Sequence, residues 1–352
     1  MKYLFITSGC LRGNASFVRL REFGRQLSSR DVEVIYVVDD TPFNRESAKT
    51  LDYAEVKFTA GHGRLAAVVP RRRRVREAEA DVVHILNPQP GNVSAALAHN
   101  GPLVCDWDEL LSQRFQSLVR RQASRLCEAL ARHRATVTVV ASRHLQSHFC
   151  NMYGKVSHYI PYATYLEPHS DGDSPFSSPT AVYVGNLLPD FDHDLLIDAW
   201  KIMAADGSAP DLQILGGGPD LEKVRREVKA ADLSMISLPG FTTGDSLWRA
   251  MRHAHVLLFP FRDTVGNRMR CPSKTFAYMQ AKRPIITCRV GEVANILGDS
   301  GRYVEPTPQA FAAEIRKIFQ EPTPDIDYDL EPHTWARRTD ELLQHVQAIT
   351  TT

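Results

Sequence analysis

Short apolar runs recur along this chain, separated by stretches in which apolar residues return every third or fourth position. In the first half the runs Tyr3–Thr7, Glu33–Val38, Val82–Leu86, Leu103–Cys105 and Thr136–Val140 predict strands, and the periodic stretches Val18–Ser28 and Gln113–Arg132 predict amphipathic helices. The pattern starts again with Ala181–Val184, Leu212–Leu215, Met235–Leu238, Val256–Phe259 and Ile285–Thr287. Strands that are apolar at consecutive positions are buried on both faces, which calls for a parallel sheet with helices over each side. The chain therefore reads as α/β, with two doubly wound, Rossmann-like domains. A polar Ser/Pro/Gly stretch, Ser170–Thr180, marks the junction, giving domains at 1–170 and 171–352. Ligands of such sheets sit outside the carboxyl ends of the strands, so two facing domains are expected to enclose a cleft. A last helical segment, 333–349, has no strand after it. It is expected to pack back across the junction through Trp335 and Leu342 or Leu343.

A length of 352 residues suits two cores, and 43% hydrophobic with 24% charged residues excludes a disordered or membrane-spanning chain. Without a signal-like or membrane-length apolar run, a cytoplasmic protein is expected. The cysteines (Cys10, Cys105, Cys127, Cys150, Cys271, Cys288) have no CxxC or metal-ligand spacing, so neither disulfides nor a metal is expected. Net charge is +1, yet residues 1–170 carry 23 Lys and Arg against 16 Asp and Glu. That excess suggests an anionic partner or surface for the first half. Its densest block is Arg71–Arg76, read either as a solvated helix start neutralised by Glu77, Glu79 and Asp81 or as a peripheral contact with anionic membrane or a phosphate-bearing acceptor. No aromatic residues interleave with these arginines, which argues against nucleic acid.

Candidate chemistry is densest in 255–287. There a buried strand leads into a polar basic loop containing Asn267, Arg268 and Arg270, and then into a helix start bearing Pro272, Ser273, Lys274 and Thr275. Exposed backbone N–H groups, the positive helix end and a lysine form an anion-binding half-unit. In the first half Asp106, Asp108 and Glu109 follow the apolar LVC at its carboxyl end beside Trp107, facing the expected cleft, and His84 ends the third strand and is likewise expected to face it. Asp108 also fits a helix N-cap, and His84 a buried, hydrogen-bonded core histidine. Arg12, Gly13 and Asn14 occupy the first strand-to-helix turn, where Asn14 is a natural N-cap.

Several weak motifs fall in an order that is specific as a set. They are YVGNLLPDFDHDLLIDAW (Tyr183–Trp200), ILGGGPD (Ile214–Asp220), LPGF (Leu238–Phe241), LLFPF (Leu257–Phe261) and CPSKTFAYMQAKRPIIT (Cys271–Thr287), after DVVHILNP, VCDWDEL, TVVASRHL and YIPYATY in the first half. In this order the chain resembles family 4 glycosyltransferases of the GT-B fold over about residues 2–345. The resemblance implies a nucleotide-sugar donor, such as a UDP-sugar, in the second domain. Gly185 and Asn186 would lie beside the diphosphate, Gly216, Gly217 and Gly218 would form the donor-side turn, and Lys274 would meet the phosphates. It also implies an acceptor on the first domain, carbohydrate, lipid-linked or small molecule, touched by Arg12, Gly13 and Asn14, with Asp106, Asp108 and His84 as catalytic candidates. Transfer with retention, without metal or other cofactor, is the implied activity. The chain departs from the family at Met269 and Ala277, where two glutamates are usual, and Asn267, Arg268 and Arg270 are the expected substitutes. The element Phe191 to Leu196 is similar to a branch resembling exopolysaccharide and teichuronic-acid glycosyltransferases. Two alternatives stay open: a noncatalytic GT-B subunit that binds nucleotide or carbohydrate, and an inverting enzyme with Asp106 as base. A nicotinamide dehydrogenase is disfavoured, because no GxGxxG follows the first strand.

Overall fold

A computed structural model describes residues 1–7, 11, 15–60, 67–114, 117–164, 172–188, 192–323 and 325–350. The chain divides into two α/β units. The first comprises Met1–Ala163, Met269–Cys271 and His333–Thr352, and the second Thr164–Arg268 and Pro272–Pro332. The division falls ahead of the Ser/Pro-rich stretch, since the Thr164 hydroxyl already donates to Gln280 Oε1 (2.9 Å) within the second unit.

The first unit runs β1 (Lys2–Ile6), α1 (Ala15–Ser28), β2 (Glu33–Asp39), α2 (Pro42–Ala48), β3 (Glu55–Thr59), α3 (Val68–Glu77), β4 (Val82–Leu86), α4 (Pro90–Ala96), β5 (Leu103–Trp107), α5 (Leu111–Arg114), α6 (Leu118–Arg134), β6 (Val137–Val140), α7 (Arg143–Tyr153) and β7 (His158–Tyr159). All pairings are parallel, in the order β3-β2-β1-β4-β5-β6-β7. Side chains alternate across the sheet. Leu4, Ile6, Val83, Ile85, Cys105 and Trp107 build an aliphatic-rich cluster on one face. On the other, Tyr3 and Phe5 meet His84 and Tyr36 under Phe23 of α1. Strands β3 and β7 were not expected. Each lies at a sheet edge, where partial burial does not require a continuous apolar run.

The second unit runs β8 (Thr180–Val184), α8 (Asp194–Ala205), β9 (Asp211–Leu215), α9 (Leu221–Ala230), β10 (Ile236–Gly240), α10 (Gly244–Arg252), β11 (Val256–Phe259), α11 (Val265–Met269), α12 (Lys274–Gln280), β12 (Ile285–Thr287), α13 (Gly291–Leu297), β13 (Arg302–Tyr303) and α14 (Pro308–Ile318). Its sheet is also parallel, ordered β10-β9-β8-β11-β12-β13. The basic loop after β11, expected to be irregular, contains the short helix α11. Leu196, Trp200 and Met203 of α8 are fully buried, as are Phe311 and Ile315 of α14, which packs on α8. The final helix α15 (Trp335–Thr350) belongs to the first unit and packs on α1, with Trp335 edge-on to Phe23 at 5.5 Å. Trp335, Leu342 and Leu343 are all buried.

Candidate functional site

In each sheet the strand order reverses at one point, between β1 and β4 in the first unit and between β8 and β11 in the second. Carboxyl ends at such a reversal diverge and leave a crevice for ligand.

In the second unit, β8 and β11 pair only as far as Val182 and Leu257. Beyond that the strands splay, and α12 fills the gap with two side chains one helical turn apart. The Tyr278 hydroxyl accepts from the Val184 N–H (2.7 Å) and donates to the Leu258 carbonyl (3.2 Å). Burial pushes its pKa up, so it stays protonated. One turn earlier, Lys274 Nζ donates to the Val184 carbonyl (3.1 Å) and sits 4.5 Å and 4.3 Å from the ring centres of Tyr183 and Phe259. Two aromatic faces and a carbonyl attract the ammonium and hold it at the strand ends.

Beside the lysine, the loops after β8 and β9 pack backbone to backbone. The Gly185 N–H donates to the Leu215 carbonyl (3.0 Å), and the Leu187 N–H to the Gly217 carbonyl (2.8 Å). A Cβ on Gly216 would lie 1.8 Å from the Gly185 oxygen, and one on Gly218, whose φ is +138°, 2.4 Å from the Leu187 oxygen. These two glycines are required by the contact between the turns. Gly217 differs, because a Cβ there would meet only Phe241 Cβ at 3.6 Å. At Gly185 a Cβ would come within 2.9 Å of Lys274 Nζ. Asn186 is exposed beside it.

The basic loop is organised by ion pairs that sequence reading missed. Arg262 donates to Asp192 (Nη1–Oδ1, 3.1 Å) and to both oxygens of Asp194 (2.7 Å each). Its pKa rises, chiefly through the Asp194 hydrogen bonds. Asn267 is 2% exposed, and its amide donates to Asp192 Oδ2 (2.9 Å) and the Arg262 carbonyl (2.8 Å), fastening the loop. Arg268 is paired with Asp263, and Arg270 is half-buried. Ser273 occupies the N-cap of α12 without a side-chain cap bond, and the Thr275 hydroxyl is buried without a hydrogen-bond partner among the described residues. Of the two positions that lack glutamate, Ala277 lies half-buried on α12 and Met269 in the core of the first unit.

In the first unit the carboxylates separate by strand parity. Asp106 shares the face of Val104 and His84, so it points into the layer under α1 rather than out of the strand end. It is fully buried and held in a bidentate pair by Arg19 (Nε–Oδ2 2.6 Å, Nη2–Oδ1 3.0 Å). Arg19 also donates to the Ile160 and Pro161 carbonyls (2.7 and 3.0 Å). Burial opposes the Asp106 charge, but Arg19 and His84 outweigh it and hold the pKa below the ordinary carboxylate value. His84 is also fully buried, with Nδ1 hydrogen-bonded to the Tyr3 hydroxyl (2.9 Å), and burial lowers its pKa so that it is neutral. Asp106, expected to face the cleft, is therefore a core group, and His84 takes the buried, hydrogen-bonded alternative.

Asp108, two residues on and past the strand end, is 9% exposed. It is no N-cap. Its Oδ2 accepts from Ser16 (2.9 Å) and Tyr162 (2.8 Å), and its Oδ1 from the Asn87 amide. Asn87 adopts a left-handed φ of +53° after β4, and its Oδ1 accepts from the Asp108 N–H (3.1 Å). Ser16, Asn87, Asp108 and Tyr162 thus form one polar cluster at the strand ends. Arg12, Gly13 and Asn14 lie outside the described residues.

Residues 178–321 match the model of a family described as glycosyl transferases group 1. No curated protein sequence matches the chain. Among solved structures, HepE of Anabaena in complex with UDP-glucose is 16% identical, with TM-score 0.72 over 100% of both chains. TarM of S. aureus, in complex with fondaparinux, α-GlcNAc-glycerol and UDP, is 9% identical, with TM-score 0.72 over 100% of both. A putative UDP-N-acetylglucosamine 2-epimerase of Listeria monocytogenes is 11% identical, with TM-score 0.64 over 99% of this chain and 96% of its own. These likenesses show that the fold is that of GT-B glycosyltransferases, two parallel-sheet Rossmann-like units.

Proposed function

We propose that the protein transfers a sugar from a nucleoside diphosphate donor, a UDP-sugar, to a hydroxyl of a carbohydrate, lipid-linked or small-molecule acceptor. The observation that carries this reading is Lys274, whose ammonium is held where the strand order of the second sheet reverses, beside Gly185. A diphosphate leaving group gains negative charge as its bond to the anomeric carbon breaks, and a pre-positioned cation with loop N–H groups stabilises that charge without reorganising. The match of this unit to group 1 glycosyl transferases supports the same assignment. Transfer with retention fits better than inversion. Inversion needs a base at the acceptor hydroxyl, and Asp106 is sealed against Arg19. Asp108, Asn87 and Tyr162 are proposed to orient the acceptor, and Lys274 to supply charge that a metal supplies elsewhere, so activity should survive chelator.

The absence of the two glutamates, with Met269 in the core and Ala277 on α12, favours one other reading, a subunit that binds nucleotide-sugar without turning it over. The purified protein is incubated with UDP-sugars, with and without extracts supplying acceptors, and nucleotide and sugar products are separated by chromatography. Acceptor-stimulated release of UDP, with slow release in water alone, supports transfer. Binding without release supports the subunit, and a changed sugar still attached to UDP would mean epimerisation.

A further inference from the structure

Helix α15 meets one extended segment of the first unit at two points. At its start, Trp335 lies edge-on to the Tyr162 ring, with centres 6.1 Å apart. Further along, the His345 imidazole lies flat over that of His158 in β7, with ring centres 3.5 Å apart and planes 22° from parallel. From Trp335 to His345 a helix rises about 15 Å, and from His158 to Tyr162 an extended chain covers about 13 Å, so helix and segment run antiparallel side by side with an aromatic clasp at each end. Leu342 and Val346, which flank His345 on the helix, are fully buried, and both histidines are half-buried. Between the clasps lie the Ile160 and Pro161 carbonyls that Arg19 grips, and the segment ends on the Tyr162 hydroxyl that donates to Asp108.

We propose that the His158–His345 stack is a pH-sensitive latch on this segment. With at most one ring charged the stack closes and helps to hold α15 along the segment; with both rings charged, like charges 3.5 Å apart repel, and the segment that carries Tyr162 loosens. The charged groups on the surrounding elements leave this repulsion standing. On α15, Glu341, one turn before His345, accepts from Arg338 and lies 3.7 Å from Arg337, and Asp340 pairs with Arg30 of α1. On α1, Arg21 and Arg25 pair with Glu22. On the other side, β6 sets Val139 beside His158, Arg143 of α7 lies 3.8 Å from the Tyr159 ring centre, and Lys155 is exposed. Burial lowers the pKa of both histidines, the facing His345 lowers that of His158 further, and Glu341 pulls the other way on His345. Both folded values therefore lie below the unfolded one, so the latch contributes fully above about pH 6.5 and is lost as pH falls through the folded values. Only the role of Tyr162 toward acceptor rests on the proposed function; the latch itself does not.

The test is hydrogen exchange of the full chain at about pH 7.5 and about pH 5.5, corrected for the intrinsic pH dependence of exchange. Peptides covering 340–349 and 157–162 should lose protection at least about tenfold at the lower pH, while those covering α8 in the second unit keep theirs. His345→Phe and His158→Phe each keep an aromatic face in the stack and leave a single charge, so both should hold α15 protected at either pH; one folded variant suffices. In the wild type, KM for acceptor should rise several-fold at the lower pH with UDP affinity unchanged, and in His345→Phe it should not. Protection of α15 in the wild type that does not change with pH, or that falls as far in the variants, overturns the latch. Loss of protection as expected, in a protein that turns over no acceptor at either pH, supports the latch and counts against the proposed function instead.

Discussion

The strand ends of the two sheets treat charge in opposite ways. In the first unit, Arg19 and Asp106 neutralise each other out of solvent, and the Asp108 carboxylate is spent on Ser16, Asn87 and Tyr162. In the second, glycine turns bring backbone together beside a lysine whose ammonium donates to a carbonyl and lies against two rings. A closed, buried pair orders the structure around it, whereas a half-buried lysine at a strand-order reversal is placed to meet a ligand. The first arrangement should therefore show itself in stability and the second in binding.

The largest effect is expected from breaking the closed pair. Arg19→Met leaves a buried carboxylate without its cation and should cost about 3–5 kcal/mol of stability, read by denaturant unfolding. Arg19→Met/Asp106→Leu should recover much of that loss, because removing both charges also removes both desolvation penalties. Because the folded pKa of Asp106 lies below its unfolded value, the pair's contribution is complete above the unfolded value and is lost as pH falls through the folded one. The wild-type should accordingly lose this contribution only below about pH 4, and Arg19→Met/Asp106→Leu should lack that limb. If Asp106→Asn halts turnover while stability is unchanged, Asp106 belongs to the reaction and the contrast between the two sheets fails.

A smaller effect separates two adjacent glycines. Gly216→Ala must push the Gly185 loop away and should cost about 2–3 kcal/mol, weakening UDP binding along with it. Gly217→Ala has room for its methyl and should stay within about 0.5 kcal/mol of wild type. Any loss of UDP affinity in Gly217→Ala then reports close approach of ligand to that backbone. Equal stability of the two variants would break the account of the turn.

Burial pattern explains what could be read beforehand. Central strands such as Val82–Leu86 and Val256–Phe259 were plain as apolar runs, while Glu55–Thr59, half-exposed at an edge, left no such trace. Lys274 could be singled out because a strand, a loop and a Pro-Ser-Lys start adjoin in sequence. Its partners could not, since Tyr183 and Val184 are 90 residues away or more and converge only through the sheet. Asp106 was misplaced because its position after an apolar run says nothing of which face it takes. Pairing of β4 with β5 settles that, setting Leu86 against Asp106 and His84 against Val104. Arg19, set among Phe17, Leu20 and Phe23, was a legible anomaly, a charge beside an apolar stripe that demanded a buried partner. For α6 the periodicity predicted a helix but not that Val119, Leu126 and Leu130 would be exposed.

The central claim, that Lys274 holds the diphosphate of a nucleotide at the strand reversal of the second sheet, is tested most directly by calorimetric titration of UDP into the wild-type protein and Lys274→Met. The methionine keeps an unbranched stem between Tyr183 and Phe259 and removes only the charge. With unfolding midpoints confirming that both proteins are folded, UDP should bind the variant at least about tenfold more weakly, a loss of about 1.4 kcal/mol. Equal affinity in the two folded proteins would contradict the account.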